Sequence, residues 1–171
     1  CETACRRKLV EEPISIAFLK SFAADEDLKS GSKFMPEVKK ASGKTVGVIG
    51  GGPAGLTAAY FLAVKGHTVY DAMPKMGGML RYGIPQYRLP KEVLDSEISS
   101  IEELGVEMKN NIKIGKDITL DEIRKSHDAV IAAIGAWTSS SMGVEGESLD
   151  GVLGGIDFLR SVAMKNPVDI G

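Results

Sequence analysis

Three glycines and one acid in this chain have the spacing of a device that binds phosphate and ribose. Gly50, Gly52 and Gly55 form a G-x-G-x-x-G run directly after the apolar segment Val46-Gly47-Val48-Ile49. Each glycine contributes differently. Gly50 allows a tight exit from a strand, Gly52 allows close approach of the backbone to a pyrophosphate, and Gly55 allows close packing of helix on strand. The helix that such a turn opens presents unpaired N–H groups and a positive dipole end to phosphate. Asp71 follows about twenty residues after Gly50, the separation at which an acid meets ribose hydroxyls. A carboxylate there accepts bonds from free hydroxyls and repels a 2′-phosphate, so FAD or NAD fits better than NADP. The run by itself does not separate FAD from NAD.

The second group with chemical potential is Cys1 and Cys5, the two cysteines of the chain. In a reducing compartment a disulfide is disfavoured, which leaves metal binding or incidental thiols. Two thiolates do not complete a four-cysteine iron–sulfur site. His67, expected in a loop, and His127, ahead of a strand, have no nucleophile or carboxylate arrangement around them and are assigned to structure. Met73, Met76 and Met79 recur every third residue, as flexible core filling or a soft lid over a cofactor.

These groups need elements to hold them. The sequence predicts a strand at 46–49, a helical run from Leu56 to Lys65 stopped by Gly66, and a strand at 68–70. Lys91 to Leu104 reads as a helix, with Leu94, Ile98 and Ile101 on one face and Gly105 closing it. A strand is predicted at 106–108 and a short helix at 120–125. That helix has Thr119 as N-cap and Glu122 at capping-box spacing. Ala129 to Ile134 is continuously apolar, the pattern of a strand buried on both faces. Near the start, Pro13 suits a first helical turn, and Ile14, Ala17, Phe18 and Phe22 form a stripe expected to be core.

Composition excludes several classes. Of 171 residues 43% are hydrophobic, the mean hydropathy is near zero, and the net charge is −2, which fits a globular domain. No basic surface or aromatic platform points to nucleic acid. No apolar run approaches the ~18 residues of a membrane span, and no signal peptide is visible, so the cytoplasm is the expected location.

Beyond Asp71 the chain resembles a family. Gly77-Gly78-Met79-Leu80 leads into Arg81-Tyr82-Gly83-Ile84-Pro85-Gln86-Tyr87-Arg88-Leu89-Pro90. This run closely resembles the GGML-YGIP-YRLP segment of the glutamate synthase small (beta) chain family. Its relatives include the FAD part of dihydropyrimidine dehydrogenase and ferredoxin–NADP reductase subunits. Asp128 to Ala136, Gly151-Val152-Leu153 with Ile156 to Leu159, and the Cys1–Cys5 spacing resemble other family segments.

The resemblance implies an α/β, Rossmann-like FAD-binding domain, present as its first half, with a short helical remnant of an N-terminal iron–sulfur domain. The expected organisation is residues 1–24 ending that helical domain, 25–42 a linker, and 43–171 the nucleotide-binding domain, cut before an NADPH domain. FAD contacts are expected at Gly50, Gly52, Pro53, Ala54, Gly55, Asp71, Ala72, Gly77, Gly78, Met79, Leu80, Arg88, Ile114 and Gly135. Gly77 and Gly78 would offer bare N–H groups, and Arg88 a guanidinium near the diphosphate. Cys1 and Cys5 would be cluster ligands whose companions lie upstream, so the cluster's ligand set is incomplete here. Lys20 stands where some relatives place a non-cysteine ligand.

The implied function is electron transfer among NAD(P)H, FAD and iron–sulfur clusters in an intact parent oxidoreductase. Its partners would be the remaining domains and an electron-transfer subunit. The chain on its own is expected to be inactive. A non-catalytic nucleotide-binding fragment, or a small NAD-dependent dehydrogenase, are the competing readings. The chain has no Tyr-x-x-x-Lys or His–Asp arrangement to support the latter.

Overall fold

A computed structural model describes residues 2–38, 42–63 and 67–170 of the chain. The chain divides into two units, Cys1–Glu37 and Val38–Gly171. Cys1 and the predicted helix stop at Gly66 lie outside the described residues.

The first unit holds a 3-10 turn at Arg6–Leu9 and helix α1 at Ile16–Lys29. Pro13 is not in the first helical turn; it precedes the Ser15 N-cap in non-helical chain. The apolar stripe is not core either. No residue of α1 is buried, and Phe18 and Phe22 are 78% and 64% exposed. One helix and one turn offer no second apolar face within the unit for the stripe to pack against. The helix runs to Lys29, and the Asp27 carboxylate near its end accepts the Phe34 N–H.

In the second unit, strands β1 (Val46–Ile49), β2 (His67–Tyr70), β3 (Val106–Lys109) and β4 (Ala129–Ala132) form one parallel sheet in the order β3-β2-β1-β4. Val46 registers with His67 on one side and Ala129 on the other. The α/β, Rossmann-like expectation is borne out. His67, expected in a loop, opens β2. Helix α2 (Pro53–Leu62) links β1 to β2, starting at Pro53, whose missing N–H costs nothing at a first turn. The short α3 (Met79–Tyr82) and the longer α4 (Lys91–Glu103) follow β2. Helix α4 buries Leu94 and Ile98, as its periodicity predicts, and ends before Gly105 at φ +91°.

Helix α5 (Leu120–Ser126) starts on a complete capping box. The Glu122 N–H donates to the Thr119 hydroxyl oxygen (3.2 Å), and the Thr119 N–H donates to the Glu122 carboxylate (2.8 Å). The Thr119 hydroxyl and N–H hold the Glu122 carboxyl below its usual pKa. A depressed folded-state pKa adds stability that is present above the unfolded-state value and fades as pH falls through the folded one. Removing the N-cap side chain in Thr119→Ala is expected to destabilise the chain by about 1 kcal/mol near neutral pH. The difference from wild type should shrink in acid, read as melting temperature against pH.

Val48 and Ile123 are fully buried; Ile123 clusters with Ile49 and Tyr70, and Leu56, Ala59, Leu94, Ile98 and Val106 are buried as well. β4 departs from expectation. It ends at Ala132, Ala129 and Ala132 are exposed, and Ile134 is 63% exposed. The apolar run fits a strand covered on both faces, but β4 is an edge strand among the described residues, with α5 packed on it. Helix α6 (Gly155–Ala163) closes the described chain and packs against α3. No described helix is long and apolar enough to cross a membrane.

Candidate dinucleotide-binding site

The sheet order places a crevice where a phosphate-bearing ligand can enter. The chain leaves β1 toward β2 on one side and returns through β4 on the other. Ligands of open parallel sheets sit at the carboxyl ends of strands at such a switch point. A cavity of about 510 Å³ lies there, between the ends of β1, β2 and β4 and the segment after β3.

Its floor is the first glycine turn. Gly50 holds φ +107°, a left-handed conformation that only glycine adopts without strain, and a Cβ there would overlap Ala133 O. Its N–H donates to Tyr70 O (2.8 Å), which ties the turn to β2. A Cβ on Gly55 would overlap Gly50 O, far inside the 3.0 Å that real Cβ atoms keep, and would press on Val48 Cγ1. Gly55 thus lets α2 lie directly on the turn. Gly52 differs. A Cβ there meets only Gly78 Cα, at 3.7 Å, so its freedom from a side chain serves the cavity rather than the fold.

A second glycine turn stacks on the first. Gly78 approaches so closely that a Cβ would stand 2.6 Å from Gly52 Cα. The Gly77 N–H donates to Gly51 O (2.7 Å). The expectation that both N–H groups of this pair stand bare is therefore corrected: Gly77's is engaged by the first turn, because the two turns close on each other.

Asp71 is one of two charged residues that are buried among those described; the other is Arg81. One Asp71 carboxylate oxygen accepts the Gly51 N–H (2.8 Å) and the other the Met73 N–H (2.9 Å). The acid read from sequence as a ribose acceptor thus also clamps the glycine turn to the end of β2. A carboxylate has about four acceptor positions, so one remains on each oxygen for a ligand at the cavity wall.

Of the predicted contacts, Gly50, Gly52, Pro53, Ala54, Asp71, Ala72, Gly78, Met79, Ile114 and Gly135 line this one cavity. Gly55 and Gly77 lie behind the wall and shape it. Leu80 is half-buried in α3, outside the lining. Arg88 is exposed in the turn after Pro85, with its N–H on Pro85 O, and the structure does not bring it to the cavity. Met76 is buried and its sulfur packs under Gly51, whereas Met79 faces the cavity, so the methionine triplet is mostly filling.

Sequence reasoning missed three groups. Gly51, the middle glycine of Gly50-Gly51-Gly52, is constrained like Gly50, since a Cβ would meet Met76 Sδ and Asp71 Oδ2. Three consecutive glycines are the signal. Lys113 adds a cation to the wall, with no motif to announce it. Arg81 lies buried behind the second turn. Trp137 lines the cavity, with its ring 5.9 Å from Tyr82 and tilted 54°. Beside α3, the Lys91 ammonium donates to Leu80 O (3.0 Å) and Ile84 O (2.7 Å). Its pKa is lowered by burial and then by the nearby Arg81 charge.

Cys5 belongs to the other unit and is a half-buried free thiol. The N–H groups of Ile14 and then Arg7 point at its sulfur and lower its pKa. Among the described residues no three His, Cys, Asp or Glu side chains are grouped to hold a metal.

Residues 44–166 match the model of the pyridine nucleotide-disulphide oxidoreductase family. The chain is 43% identical, over its whole length, to the NADPH-Fe(3+) oxidoreductase subunit beta of Geobacter sulfurreducens, of which it spans 26%. It is 35% identical, over 94% of its length, to the glutamate synthase [NADH] of Saccharomyces cerevisiae, of which it spans 8%. The resemblance to glutamate synthase read from the sequence is borne out. Among solved structures, Mycobacterium tuberculosis FprA in complex with NADPH superposes with a TM-score of 0.62 at 23% identity, over 69% of this chain and 28% of that one, a likeness of fold. The glycine turn, the clamping acid, the sheet order and these matches agree: the chain belongs to the pyridine nucleotide-disulphide oxidoreductase family.

Proposed function

We propose that this chain is the adenine-dinucleotide-binding part of a flavoprotein oxidoreductase that takes electrons from NAD(P)H. The observation that carries the reading is the cavity at the switch point, with two stacked glycine turns on its floor and the Asp71 carboxylate on its wall. The open floor at Gly52, where an added Cβ meets only Gly78 Cα, suits the pyrophosphate of FAD. Gly52, Pro53 and Ala54 would meet the phosphates, Asp71 the ribose, Ile114 the adenine side, and Gly78, Met79 and Gly135 the flavin side. FAD, when bound, accepts a hydride and releases single electrons. The chain's own residues position the ligand and exclude water around it; no acid–base triad is required for that role.

The chain spans about a quarter of the Geobacter relative, so the parent's acceptor and partners belong to this reading. An electron-transfer subunit is the expected partner, and the cytoplasm the expected location. Cys5, and Cys1 with it, would serve as iron–sulfur ligands supplied jointly with other parts of the parent. The described residues do not themselves make up such a site, and no electron route is drawn through it.

Gly52→Val is the sharpest test. Its side chain has room in the fold but projects where phosphate must come. The variant is expected to keep the wild-type melting temperature within about 2 °C, the scale of a shift below 1 kcal/mol, and to lose measurable ADP and FAD binding by calorimetry. Undiminished binding in a folded variant would reject the site. Visible flavin absorption of the wild-type chain separates FAD from NAD as its ligand.

A further inference from the structure

We propose that Arg81 is a positioning residue for anion binding: its guanidinium polarises two peptide groups in series, and the second carries the Gly52 N–H. The proposal rests on the dinucleotide reading of the cavity. Arg81 is buried, yet it is not in the cavity wall and touches no part of the ligand space. Burying a cation away from water costs stability unless it is well bonded. The bonds it makes form a line. Arg81 Nε–H donates to Met76 O at 2.6 Å. That carbonyl shares a peptide group with the Gly77 N–H, which donates to Gly51 O at 2.7 Å. The Gly51 carbonyl in turn shares a peptide group with the Gly52 N–H, at the cavity floor.

Each link therefore has a donor drawn toward the next acceptor. Peptide dipoles of about 3.5 D aligned head to tail reinforce each other, and bonds in a chain polarise one another in a low-dielectric interior. The cation at one end makes the Gly52 N–H at the other a stronger donor to an anion. The line passes through both glycine turns, so Arg81 also holds the second turn onto the first. A Cβ on Gly77 would stand 3.1 Å from Arg81 Cβ, which shows how tightly that turn is seated on the arginine.

The countercharge gives the idea a sign. Asp95 of α4 pairs with the Arg81 guanidinium and is half-exposed, with Lys75 Nζ 4.0 Å from its other oxygen. Asp95 partly neutralises the cation. Removing the negative charge while keeping an acceptor should increase the polarisation, whereas removing the arginine should abolish it. A role confined to pinning α3 to α4 predicts loss in both cases.

The test uses the 171-residue chain with ADP, inorganic pyrophosphate and adenosine as probes, by calorimetry and NMR titration. R81Q is expected to weaken ADP and pyrophosphate binding by about tenfold, the worth of one charge-assisted bond, and to leave adenosine binding unchanged. The Gly52 amide proton should move upfield. R81K, which keeps the charge, should recover most of the affinity. D95N should leave ADP affinity unchanged or raise it, and move the Gly52 amide proton downfield. Parallel loss of ADP and adenosine binding in R81Q, or weaker ADP binding in folded D95N, overturns the proposal. If R81Q does not fold, D95N and R81K decide alone. If wild type binds none of the probes, the dinucleotide reading fails, while the direction of the Gly52 shift in D95N still tests the line of bonds.

Discussion

Gly55→Ala is expected to be among the most destabilising single-methyl changes in the described residues. The added carbon would overlap Gly50 O and press on Val48 Cγ1, and Val48 is completely buried. None of these is the free end of a flexible side chain; two belong to the turn and strand that α2 must rest on. Relief requires α2 to lift off β1, which opens the core around Leu56 and Ala59. Overpacking commonly costs about 1–3 kcal/mol, and a clash with backbone belongs at or above the top of that range. For a chain of this size about 3 kcal/mol lowers the melting temperature by roughly 6–12 °C. Gly155→Ala, where nothing lies within 4 Å of the added carbon, is the control. It should be neutral or stabilising by up to about 1 kcal/mol, as alanine is the better helix former. Equal melting temperatures for the two variants would refute close packing at Gly55.

Asp71→Ala is expected to act before any ligand is added. The substitution removes acceptors from the Gly51 and Met73 N–H groups in a buried setting. Bonds to charged acceptors are worth about 1.5–3 kcal/mol each. Water entering the space left by the side chain can repay part of that, so a net loss of about 3 kcal/mol is the expectation. Asp71→Asn should recover about half, since an amide has one oxygen for two N–H groups and turns its own NH₂ toward the other. Both variants should also bind ADP more weakly, by about 1–3 kcal/mol for the alanine. Thermal melts of the ligand-free chain separate the two roles. A ribose acceptor alone would leave them unchanged, while a clamp shifts them in the order Ala, Asn, wild type.

The site was legible in the sequence where backbone chemistry dictates the residue. Gly50 needs a left-handed conformation and Gly55 needs the absence of a Cβ, so their spacing carries the turn almost by itself. Thr119 and Glu122 announced the start of α5 because a capping box is a local, reciprocal pair. Asp71 was found by its distance from the turn, but its bonds to Gly51 and Met73 depend on β1 and β2 lying side by side, which no local pattern states. Arg81 was hidden for the same reason: a charged residue in a short helix looks like a surface residue until Met76 O and Asp95 are brought to it. The stripe on α1 and the apolar run of β4 show the opposite failure. Periodicity records which face is apolar, not what covers it. Arg88 was named through resemblance alone, and the structure leaves it exposed in its turn.

Asp128 gives the topology an unexpected latitude. Its carboxylate accepts the Thr45 N–H (2.8 Å) and meets the Lys44 ammonium (3.1 Å), fastening the entrance of β4 to that of β1 across 83 residues of chain. Closing so long a loop is only slightly harder than closing a shorter one: each doubling of length costs about 0.6 kcal/mol. The place of β4 beside β1 is thus fixed by the clasp and the sheet register rather than by the length of what lies between. The segment joining β3 to β4 can lengthen on the outside of the sheet with little penalty. Insertions there would redraw the rim of the cavity and leave the spacing of its two glycine turns as it is.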